Sequence, residues 1–474
     1  MTDPGKHNHA TVTYLPDLLY TGGRFESGVG LACDSGGRIV SLTRAAGITG
    51  EIVRLNRRAV LPGMVNAHSH AFQRSLRGRT EYRTSSHDTF WTWREMMYSA
   101  ATRLTPDDIR DVARMAFLEM ALSGITAVGE FHYLHRTAEG EPYNDPNLLS
   151  KAVIGAAREV GIRIVLLRVA YARGGYRVEP NQRQLRFMES DAETYIRNTD
   201  ALRNEVNRWD ADTTWVGVAP HSIRAVPREY LRQVAEYAAS MGRIPFHMHV
   251  AEQPADVKSC IEEHGQSPVE FLNHEDILTE YFTGVHAIHI SEAEARLLAN
   301  ARATVCACPT TERNLGDGIV PAHVLFNAGV PVALGTDSQI QIDLLEDARE
   351  LEYHLRLKEL ERTVLPPSGD YPQTALAARL FDCATINGAR SIGAESGRLS
   401  PGSPADFFTV DLDDASIAGA AVADLISVVV FGLSRTAIKD VFVGGKQIVS
   451  EGRHAHQEET VTKFASLQKK LWAG

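Results

Sequence analysis

The sequence predicts an α/β protein, a (β/α)₈ barrel of the TIM type with a small β-sandwich domain formed by both ends of the chain. Three observations predict it. Eight apolar, strand-like runs alternate with longer amphipathic segments through the middle of the chain. Short strands and glycine-rich turns occupy both ends. Polar residues follow several of the apolar runs, as they do at the carboxyl ends of barrel strands.

The two ends of the chain share a pattern of short strands and turns. Near the N-terminus, strands are predicted over 39–42 and 51–55, with turn signals at 22–23, 27–28 and 34–37. The pattern returns at 405–412, 438–443 and 446–449, where Gly444 and Gly445 predict a hairpin turn. We therefore expect a β-sandwich domain from residues 1–60 and 396–456, a barrel over 61–395, and a C-terminal helix within 457–474.

The barrel strands are predicted from apolar runs separated by helical segments, at 60–68, 125–133, 162–171, 215–221, 245–252, 285–290, 304–309 and 332–337. Thr105, Pro106 and Gly124 mark one intervening helix as its N-cap, first residue and terminating glycine. Another helix is predicted over 228–242. A doubly wound open sheet is the competing architecture, but it would leave some polar strand ends at distant edges. A closed barrel brings all eight ends around one centre.

Composition and charge favour some classes of protein and disfavour others. The 474 residues are 44% hydrophobic and 23% charged, which suits a globular protein with a large core. The formal net charge of −10 disfavours a general nucleic-acid binder. We see no apolar run of about 18 residues that would predict a membrane span, and no secretion signal. The five cysteines are an odd number, which argues against a disulfide framework, and a cytoplasmic location is expected.

Histidines recur at alternate positions in two predicted strands. His68 and His70 lie at the end of the first strand, and His247 and His249 lie in the fifth. Side chains two residues apart on a strand face the same side, so each pair can aim both imidazoles into one space. Imidazole nitrogen suits zinc, iron and similar ions. One such pair alone is more often structural than metal-binding.

Acidic residues and further histidines follow other predicted strands. Glu252 ends the fifth strand, His286 and His289 lie in the sixth, and Asp337 ends the eighth. Barrel enzymes build their active sites at these carboxyl ends. A polar side chain at an apolar strand end needs partners, and one metal ion satisfies several of them at once. The clusters together therefore predict a metal centre, since a structural interpretation requires four separate coincidences.

With these clusters the chain resembles the amidohydrolase superfamily, over both the barrel and the terminal β domain. The resemblance implies one divalent metal ion, most favourably Zn²⁺, with iron or manganese as substitutes, bound by His68, His70, His249 and Asp337. It implies that His286 helps to hold the attacking water, and that Glu252 is the proton shuttle of the deaminating members. Members with two metals usually carry a bridging lysine on strand four. The predicted fourth strand, 215–221, has no lysine, which favours a single metal.

Motifs spread over the barrel resemble, more narrowly, the N-formimidoyl-L-glutamate deiminases of bacterial histidine breakdown. They are H-S-H-A-F-Q-R at 68–74, F-W-T-W-R at 90–94, E-F-H-Y at 130–133, H-S-I-R-A-V at 221–226 and N-L-G-D-G at 314–318. This family implies a homodimer and a set of residues that hold the glutamate portion of the substrate, here Gln73, Arg94, Tyr133, His221 and Arg224. Arginine suits a dicarboxylate because its guanidinium donates paired hydrogen bonds to a carboxylate.

Three positions have no role in this pattern. Gln339 stands where some relatives have a histidine, two residues after the aspartate of strand eight. His247 and His289 are interpreted as supporting or structural residues. The resemblance leaves the role of each open.

The implied reaction is hydrolytic deamination of N-formimidoyl-L-glutamate. A metal lowers the pKa of a water, Asp337 accepts its proton, His286 orients it, and Glu252 protonates the departing nitrogen. The competing functions are a deaminase of a purine, pterin or cytosine-like ring, a hydrolase of cyclic amides, lactams or ureas, and an inactive barrel used in assembly. Arg94 and Arg224 favour a small dicarboxylate over a ring. The missing lysine counts against two-metal hydrolases, and an inactive barrel would have lost ligands.

Overall fold

Two β-sheets organise the computed structural model, which describes residues 12–47, 50–83, 87–209 and 212–472. The strands of the N-terminal segment are β1 Val12–Thr21, β2 Arg24–Ser27, β3 Val29–Cys33, β4 Ile39–Arg44 and β5 Glu51–Pro62. The strands of the central segment are β6 Met64–Ser69, β7 Ile125–His132, β8 Arg163–Ala170, β9 Thr214–Pro220, β10 Phe246–Val250, β11 Phe282–His286, β12 Thr304–Ala307 and β13 Val332–Leu334. The last strands are β14 Phe407–Asp411, β15 Ile438–Val443, β16 Lys446–Ser450 and β17 Arg453–His454.

Helices fill most of the connections between the central strands. They are α1 Phe90–Ala101, α2 Pro106–Leu122, α3 Leu148–Val160, α4 Ala192–Val206, α5 Arg228–Ser240, α6 Pro254–His264, α7 Pro268–His274, α8 Glu292–Asn300, α9 Pro309–Leu315, α10 Ala322–Ala328, α11 Leu344–Glu359, α12 Ala375–Ala384, α13 Ile386–Ile392, α14 Leu425–Gly432 and α15 Gln457–Trp472. A 3₁₀ helix, Ala71–Leu76, follows β6 directly.

The central strands form the predicted barrel. Strands β6 to β13 pair in sequence order, and each pairing is parallel. A parallel bridge between Ser69 and Asp337 joins the first strand to the segment after the last, which closes the sheet. Closure brings the carboxyl ends of all eight strands around one centre, which an open sheet does not do.

The first barrel strand starts later than the sequence predicts. Residues 60–62 pair with β14 in the terminal sheet, and β6 begins only at Met64. Gly63 separates the two strands, and a Cβ at this position would lie 2.3 Å from Thr126 Oγ1. The chain thus passes from one sheet to the other at a position where only glycine fits. The sequence does not show this change of sheet, because the apolar run continues through it.

The two ends of the chain form the second sheet, as predicted. Its order is β17-β16-β15-β14-β5-β1-β3-β4, with β2 paired to β1, so the antiparallel pair β14 and β5 joins the C-terminal strands to the N-terminal ones. The predicted hairpin joins β15 to β16, and Gly444 and Gly445 have φ angles of +55° and +70°. Positive φ at both central residues is the geometry of a type I′ turn, which glycine adopts without strain.

A buried ion pair links this sheet to the barrel. Asp406, just before β14, accepts hydrogen bonds from Arg163 of β8 at 2.7 and 3.1 Å, and from the N–H of Gly444 at 2.7 Å. Both charged side chains are buried. A paired and hydrogen-bonded charge is stable in such a place, whereas a single buried charge is not.

The predicted helix signals also agree with the structure. Helix α2 begins at Pro106 with Thr105 as its N-cap, and the Thr105 hydroxyl accepts from the N–H of Asp108. The C-terminal helix α15 is present and packs on α2, where Arg114 pairs with Glu459. Among the described residues, no helix is both long and apolar enough to cross a membrane. All five cysteines are buried and free, as the sequence indicated.

Candidate metal centre and active site

Four side chains converge at the carboxyl end of the barrel. His68 lies in β6, His70 directly after it, His249 in β10, and Asp337 in the loop after β13. The Nε2 atom of His68 lies 3.1 Å from His70 Nε2 and 3.2 Å from His249 Nε2. Asp337 Oδ1 lies 3.2 Å from His70 Nε2 and 3.5 Å from His68 Nε2. The structure therefore brings together all four residues predicted as metal ligands.

The donor atoms of this cluster fit a divalent cation. Ligand atoms about 2.0–2.1 Å from a tetrahedral zinc lie about 3.3–3.4 Å apart, close to these separations. His70 Nδ1 donates to the carbonyl of Phe131 at 2.9 Å, and His249 Nδ1 donates to the carbonyl of His221 at 3.0 Å. Each ring therefore turns its Nε2 lone pair toward the centre, the tautomer that a metal ligand needs. Lone pairs that face each other repel, and a cation between them removes the repulsion.

Burial keeps two histidines of the cluster, His68 and His249, in the neutral form. It lowers the pKa of His68 to about 3. Burial and the neighbouring imidazoles, that of His221 first, lower the pKa of His249 well below its ordinary value. Because only the neutral imidazole binds a metal, these two rings are in the binding form at neutral pH.

The closure of the barrel places Asp337. The N–H of Asp337 donates to the carbonyl of His68 at 3.0 Å, and the N–H of His70 donates to the carbonyl of Asp337 at 3.0 Å. The backbone of two histidine ligands thus holds the backbone of the carboxylate ligand. The hydrogen bonds that close the sheet are therefore the ones that align three of the four candidate ligands.

Gln339 stabilises the contact between the first strand and the Asp337 loop through hydrogen bonds. Its Nε2 donates to Ser69 Oγ and to the carbonyl of Asp337, both at 2.9 Å, and its Oε1 accepts from the Thr336 hydroxyl at 2.9 Å. The side chain is fully buried. The residue whose role the sequence left open therefore supports the loop that carries Asp337.

The backbone turns sharply where three of the site segments leave their strands. Ala251, His286 and Asp337 have φ angles of +48°, +72° and +44°. Residues other than glycine rarely adopt this left-handed region, and each instance costs about 1–3 kcal/mol. These turns lie at the ends of β10, β11 and β13, so the strain is concentrated around the candidate metal centre.

Glu252 and His286 face the ligand cluster from one side. His286 Nε2 lies 3.6 Å from Glu252 Oε1 and 3.7 Å from Asp337 Oδ2. Both side chains are buried, and His286 Nε2 has no hydrogen-bond partner within the described structure. Burial raises the pKa of Glu252 to about 7. A carboxyl group with that pKa can take up and release a proton near neutral pH.

A small cavity adjoins the cluster. Its wall is formed by His70, Gln73, Phe90, Trp93, Arg94, Met97, Tyr98, Tyr133, Tyr171, His221, Arg224, His249, Glu252, Leu315 and Asp337. All five residues predicted to hold the substrate lie on this wall, beside three of the four candidate metal ligands. A small molecule in the cavity would contact both sets of residues.

Two arginines give this wall its positive charge. Arg94 lies 4.5 Å from the ring centre of Trp91, and Arg224 lies 5.5 Å from the same ring. Nε and Nη1 of Arg94 are buried, and no acceptor within the described residues contacts them. Arg224 instead forms an ion pair with Asp256. Nε of Arg224 is also buried without a partner in the described structure, so Arg94 has two such donors available to a ligand and Arg224 has one.

The other predicted substrate residues add neutral polar groups. Gln73 Nε2 donates to the Tyr133 hydroxyl at 2.8 Å, and Gln73 Oε1 is buried without a partner in the described structure. Burial, together with the positive charge of Arg224, lowers the pKa of His221 well below its ordinary value. The wall thus combines charged donors with neutral donors and acceptors.

The histidines interpreted as supporting or structural, His247 and His289, lie outside the ligand cluster. His247 Nε2 lies 2.8 Å from the carbonyl of Ser391, and His289 Nε2 lies 3.0 Å from the carbonyl of Asp317. Both hydrogen bonds tie together neighbouring segments of the barrel. The structural interpretation therefore applies to both residues.

Two residues near the centre were not singled out from the sequence. Glu312 Oε1 lies 3.1 Å from His286 Nδ1. Cys308 is fully buried, and its sulfur lies within 4.8 Å of donor atoms of His286 and Asp337. In the sequence, Glu312 is an acidic residue about one helical turn beyond the seventh strand. From the sequence alone, such a residue cannot be distinguished from an acidic side chain on the solvent-exposed face of a helix.

The chain is similar to known proteins in both sequence and fold. Residues 59–448 match the model described as the amidohydrolase family. The chain is 35% identical over 413 residues to formimidoylglutamate deiminase from Pseudomonas aeruginosa, covering 87% of this chain and 89% of that protein. It is 28% identical over 451 residues to 8-oxoguanine deaminase from the same species, covering 92% and 93%. The crystal structure of an amidohydrolase from Brucella melitensis matches with a TM-score of 0.88 and 33% identity, covering 97% of this chain and 99% of that one.

Replacing His68 should remove the metal. In His68→Ala one of the four donor atoms is lost, so we expect metal bound per chain, measured by atomic emission after dialysis, to fall to a small fraction of the wild-type value. His247→Ala is the matched control, because it removes a buried histidine that does not face the cluster. Full metal occupancy in His68→Ala would contradict the ligand assignment.

Proposed function

The chain belongs to the amidohydrolase family, and we propose that it is the member that hydrolyses N-formimidoyl-L-glutamate to N-formyl-L-glutamate and ammonia. The observation that carries this proposal is Arg94, whose buried donors have no acceptor in the described structure and face the cavity beside the ligand cluster. A buried, unsatisfied guanidinium is costly unless a ligand pairs with it, and a carboxylate is its best partner. The 35% identity to a formimidoylglutamate deiminase supports the same substrate.

We propose that His68, His70, His249 and Asp337 hold one divalent metal ion. Three imidazole nitrogens and one carboxylate oxygen at these separations suit a tetrahedral ion, which favours Zn²⁺. When bound, such an ion would lower the pKa of a water toward neutrality and polarise the carbon–nitrogen bond that is attacked.

The groups beside the ligand cluster supply the proton transfers. Asp337 Oδ2 lies on the side of the carboxylate that faces His286, so Asp337 can accept the proton of the attacking water. His286 Nε2 has no partner in the described structure, and it can hold that water or the negative charge that develops on the tetrahedral carbon. Each role uses an atom that faces the reacting centre.

Glu252 is the proposed general acid. Its Oε1 lies 3.6 Å from His286 Nε2, and its pKa of about 7 allows it to release and regain a proton near neutral pH. The amidine nitrogen is a poor leaving group until it is protonated. One proton from Glu252 and the proton that Asp337 took from the water let it depart as ammonia, and the hydroxyl proton of the tetrahedral carbon returns to Glu252 as the carbonyl forms.

Residues on the cavity wall account for the glutamate portion. Arg94 offers paired donors to one carboxylate. Gln73 Oε1, which is buried without a partner in the described structure, can accept from the substrate N–H group. Arg224 and His221 line the same wall. These positions supply opposite charge and matched donors and acceptors for a small dicarboxylate.

A ring deaminase is the second candidate. The cavity wall includes Phe90, Trp93 and Tyr98, whose rings can stack on a heterocycle, and one relative is an 8-oxoguanine deaminase. A neutral heterocycle leaves the donors of Arg94 unpaired, whereas a dicarboxylate pairs them. We therefore favour the dicarboxylate.

A substrate panel tests the function. Metal-loaded and metal-stripped protein are assayed for ammonia release from N-formimidoyl-L-glutamate, N-formimidoyl-L-aspartate and guanine. We expect fast, metal-dependent release from the glutamate compound, little from the aspartate compound because its carboxylate falls short of the arginines, and none from guanine. Release from guanine alone would leave the metal barrel in place and exclude the proposed substrate.

Removing the Arg94 guanidinium should weaken transition-state binding of this substrate. A charge-assisted hydrogen bond is worth about 1.5–3 kcal/mol, so Arg94→Met should lower kcat/KM about 10- to 100-fold. Arg183→Met, which removes an exposed arginine outside the cavity, is the control. Equal kinetics in the two variants would show that Arg94 does not hold the substrate.

Glu252→Gln should lose most of kcat and keep the metal. The amide keeps the shape of the side chain but cannot donate an acidic proton, and positioned proton transfer is typically worth about 10²–10⁴-fold. Steady-state kinetics and metal content are measured on the same preparation. Near-normal kcat in a fully metal-loaded variant would exclude Glu252 as the proton shuttle.

A further inference from the structure

The two nitrogens of the His286 imidazole face different carboxylates. Nε2 faces Glu252 and Asp337 at 3.6 and 3.7 Å, as described above. Nδ1 lies on the other side of the ring, 3.1 Å from Glu312 Oε1. The side chains of His286 and Glu312 are both buried, at 0% and 2% exposure. The described contacts show no other hydrogen-bond partner for Nδ1, so the protonation and orientation of this nitrogen depend on its contact with Glu312.

The oxygen atom that meets His286 is itself fixed. Glu312 Oε1 accepts the N–H of Cys308 at 2.8 Å, and the N–H of Glu312 donates to the carbonyl of Cys308 at 2.9 Å. These two hydrogen bonds tie the side chain and the backbone of Glu312 to the end of the seventh strand. The carboxylate therefore has little freedom to follow a moving imidazole, and the imidazole must adapt to it.

The geometry also selects a tautomer. Glu312 Oε1 already accepts the N–H of Cys308 and so acts as an acceptor here, which means that the hydrogen of its contact with His286 is carried by Nδ1. Nε2 then faces the reacting centre with either its lone pair or, in the charged ring, an N–H. Without Glu312 the neutral ring could place its hydrogen on Nε2 instead, or rotate about its Cβ–Cγ bond. The left-handed backbone at His286 sets the direction of the side chain, but it does not set the tautomer.

We propose that Glu312 is a positioning residue for the reaction, which accepts the Nδ1 hydrogen of His286 and so fixes the orientation and tautomer in which Nε2 faces the reacting centre. The inference rests on the proposed function in one respect, the role of His286 beside the substrate. Carboxylate partners of this kind orient metal-binding histidines in many enzymes, and their loss typically costs about 10- to 100-fold in activity or metal affinity. Here the oriented histidine is not one of the proposed metal ligands.

A neighbouring carboxylate provides a matched control. Asp347 is fully buried and accepts the N–H of Thr310 at 3.0 Å, much as Glu312 accepts the N–H of Cys308. Both acids thus bind the backbone at the start of α9. Of these two acids, only Glu312 contacts His286 in the described structure. Burial raises the pKa of Asp347 well above its ordinary value. Asp347→Asn therefore tests the loss of a buried carboxyl group at this helix without disturbing the imidazole.

The kinetic test compares Glu312→Met, Glu312→Gln and Asp347→Asn in the metal-loaded enzyme. We expect Glu312→Met to lower kcat about 10- to 100-fold with little change in KM or metal content. Glu312→Gln should recover most of kcat, because its amide oxygen can accept both the Nδ1 hydrogen and the Cys308 N–H. Asp347→Asn should resemble the wild type. Wild-type kcat in a folded Glu312→Met, or an equal loss in Asp347→Asn, would overturn the proposal.

A spectroscopic test needs no substrate and so separates this proposal from the proposed function. The protein is labelled with ¹⁵N-histidine and loaded with metal, and the His286 signals are identified by their absence in His286→Asn. We expect a protonated Nδ1 in the wild type and in Glu312→Gln, and loss of that fixed proton in Glu312→Met. An unprotonated Nδ1 in the wild type would exclude the role of Glu312, even if Glu312→Met failed to fold. Absence of deaminase activity in the wild type would exclude only the proposed substrate.

Discussion

The site depends on the junction at which the first barrel strand meets the segment after the last. Two backbone hydrogen bonds cross it, from Asp337 N–H to the His68 carbonyl and from His70 N–H to the Asp337 carbonyl. A barrel can close only if its ends meet in register, and here the register places two imidazoles and one carboxylate side by side. The same interaction therefore completes the fold and assembles most of the candidate metal centre. His249, from the fifth strand, completes the set from across the barrel.

Local strain and buried polarity concentrate around this junction. Non-glycine residues have positive φ at the ends of three strands, and the buried carboxyl of Glu130 accepts hydrogen bonds from Ser69 Oγ at 2.5 Å and from the N–H of Ala71 at 2.8 Å. Burial raises the pKa of Glu130 to about 7. Such features destabilise a fold unless the surrounding structure holds them in place. The large apolar core and the closed sheet supply that support, and functional sites are where such local conflicts are expected.

The two halves of the site are built differently. The candidate metal ligands lie in strands or in the segments that follow them, where backbone hydrogen bonds between neighbouring strands fix their positions. Arg94 comes from α1 and Gln73 from the 3₁₀ helix after β6, segments that lie over the barrel end. Changes in such segments alter a pocket without altering the metal centre. This division agrees with relatives that share the barrel yet are named for substrates as different as formimidoylglutamate and 8-oxoguanine.

Much of this protein is determined by short-range patterns in its sequence. Alternation of side chains along a strand predicts that His68 and His70 share a face, capping residues set the start of α2, and Gly444-Gly445 specifies the hairpin, because each depends on neighbours a few residues away. Tertiary structure decided the rest. His247 and His249 have the same local pattern, yet only His249 reaches the centre, since the other lies two residues further from the strand end. The break at Gly63, the brace formed by Gln339 and the contact of Glu312 with His286 all depend on which distant strand or helix lies opposite. No local pattern encodes that, because it is set by how the sheet closes.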